Sequence, residues 1–406
     1  MSVEVLRGRV VAPGRVIEDG LVVVQDDRIT WVGAAAEAPT GVVVPDARPG
    51  APTYLPGLVD VHCHGGGGAG FPDSPDVATA RRAAAEHLRH GTTTLVASLV
   101  TADEETLLAR TATLADLADA GELAGIHLEG PYLSPHRCGA QDPAFMTDGH
   151  PATVRRVARA ARGWLATMTV APDVAGVTGP DGVAATLAEV GALPSFGHTD
   201  ATDAVMAGAL AEARSTLAAP GARSPRPTVT HLFNGMAPWH HRTPGPVPAA
   251  LAAAARGDAV IELVADGVHL APGTVRAVFS LVGATNIALV TDAMAAAGMP
   301  DGEYVLGPAA VVVRDGVARL APAPGAPPDS GAIAGGTAHL LDVVRATVRA
   351  GVGLLDAVTS ASATPAAVLG RNDVGALETG RRADVVETDG DLRALRVMRG
   401  GEWLVQ

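Results

Sequence analysis

Leu58-Val59-Asp60-Val61-His62-Cys63-His64, followed at once by Gly65-Gly66-Gly67-Gly68, reads as an apolar strand that ends in two imidazoles and a glycine turn. Side chains on a strand alternate between faces, so Asp60, His62 and His64 are expected on one side and Val61 and Cys63 on the other. Two imidazoles on one face, at the mouth of a glycine loop, can converge on one metal ion. A His-x-His pair is weak evidence by itself, because short motifs match by chance. Its meaning depends on what the rest of the chain brings to the same place.

Outward from this stretch, strand-like apolar runs alternate with Ala-rich helical ones. The strands are Leu58–His64, Thr92–Ser98, Gly125–Glu129, Ala166–Ala171, Pro194–His198, Thr228–His231, Val260–Ala265 and Ile287–Asp292. Helical patterns such as Asp76–His90, Glu104–Ala118, Ala201–Leu217 and Pro272–Val282 separate them, and Thr337–Ala350 comes after the last. Eight strands with intervening helices predict an α/β fold, a (β/α)8 TIM-like barrel, with its active site at the C-terminal ends of the strands.

The two ends of the chain have a different texture. Val3–Val11, Leu21–Val24 and Arg28–Val32 at one end, and Ala383–Thr388, Arg396–Arg399 and Trp403–Val405 at the other, are short strands broken by turns at Pro13-Gly14 and Asp26-Asp27. Neither set can bury a sheet face alone. Residues 1–54 and 371–406 are therefore expected to pair into one small β-sandwich domain beside a barrel of residues 55–370. The Pro-rich stretch Ala321–Pro328 is expected to be a surface loop.

Composition narrows the function. Aromatics are only 3% of the 406 residues, so the core must be built of Ala, Val and Leu. The net charge of −13 argues against nucleic acid, whose partners display a basic face. No apolar run reaches the length of a membrane span. The start of the chain lacks the layout of a signal peptide, and two cysteines are too few for a disulfide framework, so a cytoplasmic protein is expected. There is no lysine among the 30 basic residues, which removes Schiff-base chemistry, the P-loop lysine and any carboxylated lysine bridging two metals.

At the expected strand ends stand His62, His64, Glu129, His198, His231 and Asp292. One such residue is more often structural than functional; six on one rim are hard to assign to chance, and neutral imidazoles with carboxylates suit Zn or a similar divalent ion. His127 is a residue that could support Glu129. His87 and His90, three apart on a helix, read as a solvated face. His240 and His241 read as loop histidines, and Cys138 as a thiol without function.

With these residues in place the sequence resembles the N-acetylglucosamine-6-phosphate deacetylases of the amidohydrolase superfamily. The blocks that carry the resemblance run from Leu55-Pro-Gly-Leu-Val-Asp-Val-His-Cys-His64 to Gly380-Arg-Arg-Ala-Asp384. Between them lie His127-Leu-Glu-Gly-Pro131, Gly197-His198, His231-Leu-Phe-Asn-Gly-Met236, Ala265-Asp-Gly-Val-His269 and Leu289-Val-Thr-Asp-Ala293. The resemblance implies Glu129, His198 and His231 as principal metal ligands, His62 and His64 as the pair that completes a second site in some members, and Asp292 as catalytic acid/base. It implies substrate binding by Ala140, Gln141, Asn234, Gly235, Arg242 and His269 and by the loop Ile333-Ala334-Gly335, with Arg242 holding the sugar phosphate. Gln141 departs from the histidine that the family often carries there, and either replaces it as an amide donor or indicates altered electrophile activation.

The resemblance thus implies a hydrolase that takes acetyl from N-acetylglucosamine 6-phosphate, with one or two divalent ions per chain, in a homodimer whose Arg242 can reach the neighbouring site. A different N-acyl or deaminase substrate, or a barrel kept without catalysis, are the alternatives.

Overall fold

The computed structural model describes residues 3–47, 50–327 and 329–404. Its centre is an eight-stranded parallel sheet in sequence order: Leu58–Cys63, Thr92–Leu99, Gly125–Glu129, Leu165–Val170, Leu193–Phe196, Thr228–Val229, Val260–Leu263 and Ile287–Leu289. The sheet closes into a barrel where the first strand meets the eighth. There Asp292 N–H donates to the His62 carbonyl at 2.9 Å and His64 N–H to the Ala293 carbonyl at 2.6 Å. Strands buried on both faces are continuous apolar runs, and every barrel strand here is buried throughout.

A helix comes after each strand: Val77–Arg89, Glu104–Asp119, Pro151–Ala160, Val183–Glu189, Asp203–Leu217, Val247–Ala255, Pro272–Val282 and Leu340–Arg349. Two further short helices, Leu354–Ser360 and Ala363–Val368, cover the seam, where Val59 N–H reaches the Ala361 carbonyl. Helix starts obey local chemistry. Asp76 accepts from Thr79 N–H at 2.8 Å and Asp103 from Thr106 N–H at 2.9 Å, each satisfying a donor the first turn leaves open.

The small domain joins the chain ends in one seven-stranded sheet. Its order is Glu402–Trp403, Ala394–Arg399, Val385–Thr388, Thr53–Pro56, Val3–Ala12, Arg15–Gln25 and Arg28–Ala34. The sheet curls over one apolar cluster that draws Val10, Val22, Ile29, Val385 and Met398 from across its width, giving the two layers of a sandwich. Thr53–Pro56 straddles residues 54 and 55 and runs straight into the first barrel strand. Of the expected last strand, Trp403 is paired and Val405 lies outside the described residues.

The expected strands differ from the observed ones mainly at their C-terminal ends. His198, His231 and Asp292 lie two or three residues beyond their strands, at φ of 47°, 25° and 47°. A left-handed backbone at a non-glycine residue costs energy and clusters at functional sites. The chain turns out of the sheet at these side chains, which aims them at the barrel mouth.

One insert is not apparent from the sequence pattern. Between the eighth strand and the helix Leu340–Arg349, Gly302–Leu306, Ala309–Arg314 and Val317–Leu320 form a three-stranded antiparallel sheet. It packs Leu306, Val311 and Val313 against Val100 and Met294 beside the barrel mouth. Residues 321–327 come next as mostly exposed chain; Pro328 lies outside the described residues.

Candidate metal centre and its pocket

Glu129, the last residue of the third barrel strand, sits at the middle of the candidate site. Its Oε1 is 2.9 Å from Nε2 of both His198 and His231, and its Oε2 is 3.1 Å from Nε2 of His64. Asp292 Oδ1 lies 3.4 Å from His62 Nε2 and 3.3 Å from His64 Nε2. Two groups result, one of Glu129, His198 and His231 and one of His62, His64, Glu129 and Asp292, with Glu129 common to both.

The imidazoles are held from behind. A carbonyl can only accept, so His198 Nδ1–H donates to the Arg137 carbonyl at 2.7 Å and His64 Nδ1–H to the Ser98 carbonyl at 3.2 Å. His62 Nδ1 meets Glu262 Oε2 at 3.0 Å. Among the described residues His231 Nδ1 has no such partner, yet all four Nε2 atoms face inward, with only 3.1 Å between those of His62 and His64 and again between those of His198 and His231. Two lone pairs at that distance repel unless a cation lies between them.

Electrostatics give the same answer. Burial lowers the pKa of His62, but the charge of Asp292, the Glu262 hydrogen bond and the charge of Glu129 outweigh it and raise it to about 10. His64 and His198 are also raised, against burial, by Asp292 and Glu129 for the first and by Glu129 for the second. Burial would raise Glu129, yet the charge and hydrogen bond of His198, with bonds from His231 and His64, hold it well below the usual range. Asp292 is likewise lowered, against burial, mainly by the charge of His62. The centre demands positive charge. The donor set, four imidazole nitrogens and two carboxylates, fits a divalent ion of the Zn type, which would displace protons on binding.

A cavity of about 250 Å³ opens above this cluster. It is lined by His64, Glu129, His198, His231 and Asp292, and also by Gly139, Ala140, Gln141, Asn234, Gly235, His269, Leu306, Ala332, Ile333 and Gly335. His62 is fully buried beneath it. Ala334 is also buried and packs into the cluster around Met294 and Leu306 instead. Arg242 is exposed on the loop after His240, and among the described residues no arginine lines the cavity.

Several expectations change. Gln141 lines the cavity, but its amide also holds the site together: Nε2 donates to Glu129 Oε2 at 2.6 Å, and Oε1 accepts from Thr101 N–H at 2.8 Å. A side chain engaged at both ends orients Glu129. His127 does not touch Glu129; it bonds Ser98 Oγ and Thr169 Oγ1, and its ring packs edge-on against His62. His87 is not on a solvated face but fully buried, with Nε2 2.8 Å from the Gly65 carbonyl and 3.2 Å from Cys63 Sγ. The first strand brings His62 and His64 together as expected, but its pairing register shifts between Asp60 and Cys63, and Asp60 is taken up by Thr291 Oγ1 at 2.6 Å and not by the metal centre.

Two residues of the site do not stand out in the sequence. Glu262 stands in Val260-Ile-Glu-Leu263 and is almost fully buried. Its one readable signal is a lone carboxylate inside a parallel strand, which must find a partner. Asp266 accepts from His269 Nδ1 at 2.8 Å and from the Val268 and His269 N–H groups, fixing the ring. A third His/Glu group, Glu86 with His90 and His339, lies behind the glycine turn, where Arg89 already supplies Glu86 with a cation at 2.9 Å. It brackets the helices Val77–Arg89 and Leu340–Arg349.

The family model described as the amidohydrolase family matches residues 53–404. The chain belongs to the amidohydrolase family. It is 31% identical over 323 residues to the N-acetylglucosamine-6-phosphate deacetylase of Bacillus subtilis (strain 168), spanning 77% of this chain and 75% of that one. It is 32% identical over 380 residues to the N-acetylgalactosamine-6-phosphate deacetylase of Escherichia coli O157:H7, spanning 91% and 92%. Among solved structures, N-acetyl-D-glucosamine-6-phosphate deacetylase from Mycobacterium smegmatis, a variant in complex with N-acetyl-D-glucosamine-6-phosphate, is 38% identical. It aligns over the whole of both chains with a TM-score of 0.86.

Proposed function

We propose that this amidohydrolase removes the acetyl group from N-acetylglucosamine 6-phosphate, releasing acetate and glucosamine 6-phosphate. The observation that carries the reading is the cluster of four imidazoles and two carboxylates at the floor of a cavity of about 250 Å³. His62, His64, His198, His231 and Glu129 would hold one or two divalent ions, proposed to be Zn. A bound divalent ion supplies Lewis-acid charge that polarises a carbonyl and makes water nucleophilic near neutral pH.

The protein's own groups do the rest. Asp292 takes the proton of the attacking water and returns it to the departing sugar nitrogen, so that one carboxylate serves both steps. His269, its Nδ1 anchored on Asp266, turns its other ring nitrogen to the acetyl oxygen and steadies the developing negative charge. Asn234 and Gly235, with Ala140, Ile333 and Gly335, form the sugar walls. No arginine lines the cavity among the described residues, so Arg242, an exposed side chain, would hold the phosphate in the site of a second copy in a homodimer. A cytoplasmic enzyme of amino-sugar recycling fits this chemistry.

The N-acetylgalactosamine 6-phosphate deacetylases are a second reading, favoured by the 32% identity over 91% of the chain. Acetate release from both phosphorylated sugars and from unphosphorylated N-acetylglucosamine tests the proposal. The Arg242→Ala variant should lose use of the phosphorylated sugar by an amount corresponding to about 2–5 kcal/mol, with the unphosphorylated one barely changed. Equal losses on both would make Arg242 structural, and turnover of neither phosphorylated sugar would refute the substrate class.

A further inference from the structure

Glu262 is the carboxylate that the chemistry above does not use. It projects from the seventh barrel strand, almost fully buried, in an interior lined by Val260, Val264, Ala288 and Val290. No arginine is paired with it among the described residues, and the chain has no lysine. Its Oε2 instead receives His62 Nδ1 at 3.0 Å and, more loosely, the backbone N–H of His231 at 3.4 Å. The first contact is the shorter and reaches the imidazole itself, whereas the second touches only the main chain of His231.

His62 has no other anchor of this kind. His64 and His198 donate Nδ1–H to backbone carbonyls, which any sequence would supply. His62 depends on a side chain that the sequence had to provide. A neutral imidazole offers one lone pair, and which nitrogen carries it is set by the hydrogen bond at the other. With a carboxylate at Nδ1, a proton is held there, and Nε2, which faces His64 and Asp292, is the nitrogen left to meet an ion.

We propose that Glu262 is the positioning residue that makes His62 a metal ligand, and with it the second of two ion positions. The inference rests on the metal-dependent hydrolase reading, and goes beyond it by naming what the His-x-His motif requires from a strand 200 residues away. Without an acceptor at position 262, His62 can carry its proton on Nε2, and the group of His62, His64, Glu129 and Asp292 loses one of its two imidazoles.

The test is titration of metal-free protein with Zn²⁺, monitored by calorimetry and by metal content per chain, in the absence of substrate. Glu262→Met removes the acceptor while keeping the length of the side chain, and it leaves the buried His62 Nδ1 without its partner, so folding is checked first. If that variant does not fold, as judged by its circular dichroism and melting temperature, Glu262→Leu, which also lacks an acceptor, is measured against the same criteria. The expected result is a loss of affinity of about 10–100-fold for one ion with the other unchanged. The same substitution should cause no further loss in a His62→Asn background, because Glu262 acts through His62. Wild-type affinity in the Glu262 variant, or an equal loss with His62 already replaced, would overturn the proposal. Acetate release by the wild-type protein tests the deacetylase reading separately, so the two can fail independently.

Discussion

Asp292 shows how much of this site is decided at single residues. Held at a left-handed turn, with Oδ1 3.3–3.4 Å from two imidazole nitrogens, it is kept ionised and can accept a proton from water. Asp292→Asn preserves shape and removes the base. Turnover should fall about 10²–10⁴-fold, the range of general acid–base catalysis, while metal content stays near that of the wild type. Turnover within about tenfold of wild type would remove Asp292 from the acid/base role. At this scale the sequence is readable where a residue type announces its chemistry, as with His62, His64 and Glu129. It is unreadable where function depends on a partner: Glu262 looks like an interruption in a strand, and the hold of Gln141 on Glu129 is invisible, until their hydrogen bonds are seen.

At the scale of elements, the eight strands are legible because parallel strands buried on both faces are continuous apolar runs bounded by polar turns. Their ends are not. The strands stop two or three residues early at His198, His231 and Asp292, since left-handed turns there are built on functional side chains rather than on glycine. The loop after His231 shows the same coupling. Gly235 has φ of 59°, and a Cβ there would lie 2.7 Å from His198 Nδ1. Gly235→Ala should therefore push His198 off its anchor on Arg137 and lower metal affinity about tenfold or more. Metal content after dialysis reads this directly, and retention equal to wild type would show that the loop yields without moving His198. The insert at 302–320 is hidden in the sequence because its short, half-exposed strands pack on the barrel mouth and not on each other's faces alone.

At the scale of the whole molecule, a buried carboxylate helps couple the two sheets. Asp384, beside the strand Val385–Thr388, accepts from Thr93 Oγ1 at 2.8 Å at the foot of the barrel, from Gly400 N–H at 2.9 Å, and from Arg382. Its backbone carbonyl takes Gly57 N–H, next to the strand that carries His62. Asp384→Ala leaves the Thr93 hydroxyl and Arg382 without their acceptor and should destabilise the fold by about 3–5 kcal/mol. A shift of the urea unfolding midpoint reports it; a loss under about 1 kcal/mol would mean that other contacts, such as Arg399 to the Thr93 carbonyl at 3.1 Å, hold the domains together without Asp384. The pairing of chain ends into one domain is foreseeable, since neither end can bury a sheet face by itself. That Asp384 anchors the pairing is not, because the Thr93–Asp384 contact spans 291 residues of sequence.

If the cluster around Glu129 makes this chain a metal-dependent deacetylase of a phosphorylated amino sugar, activity must track bound metal. The most direct measurement is acetate release from N-acetylglucosamine 6-phosphate by protein stripped with a chelator, then titrated with Zn²⁺, with metal content determined on the same samples. Stripped protein should release negligible acetate, and the rate should rise with bound metal to a plateau at one or two ions per chain. Release that is equally fast without metal, or absent at full metal occupancy, would show that the cluster does not serve this reaction.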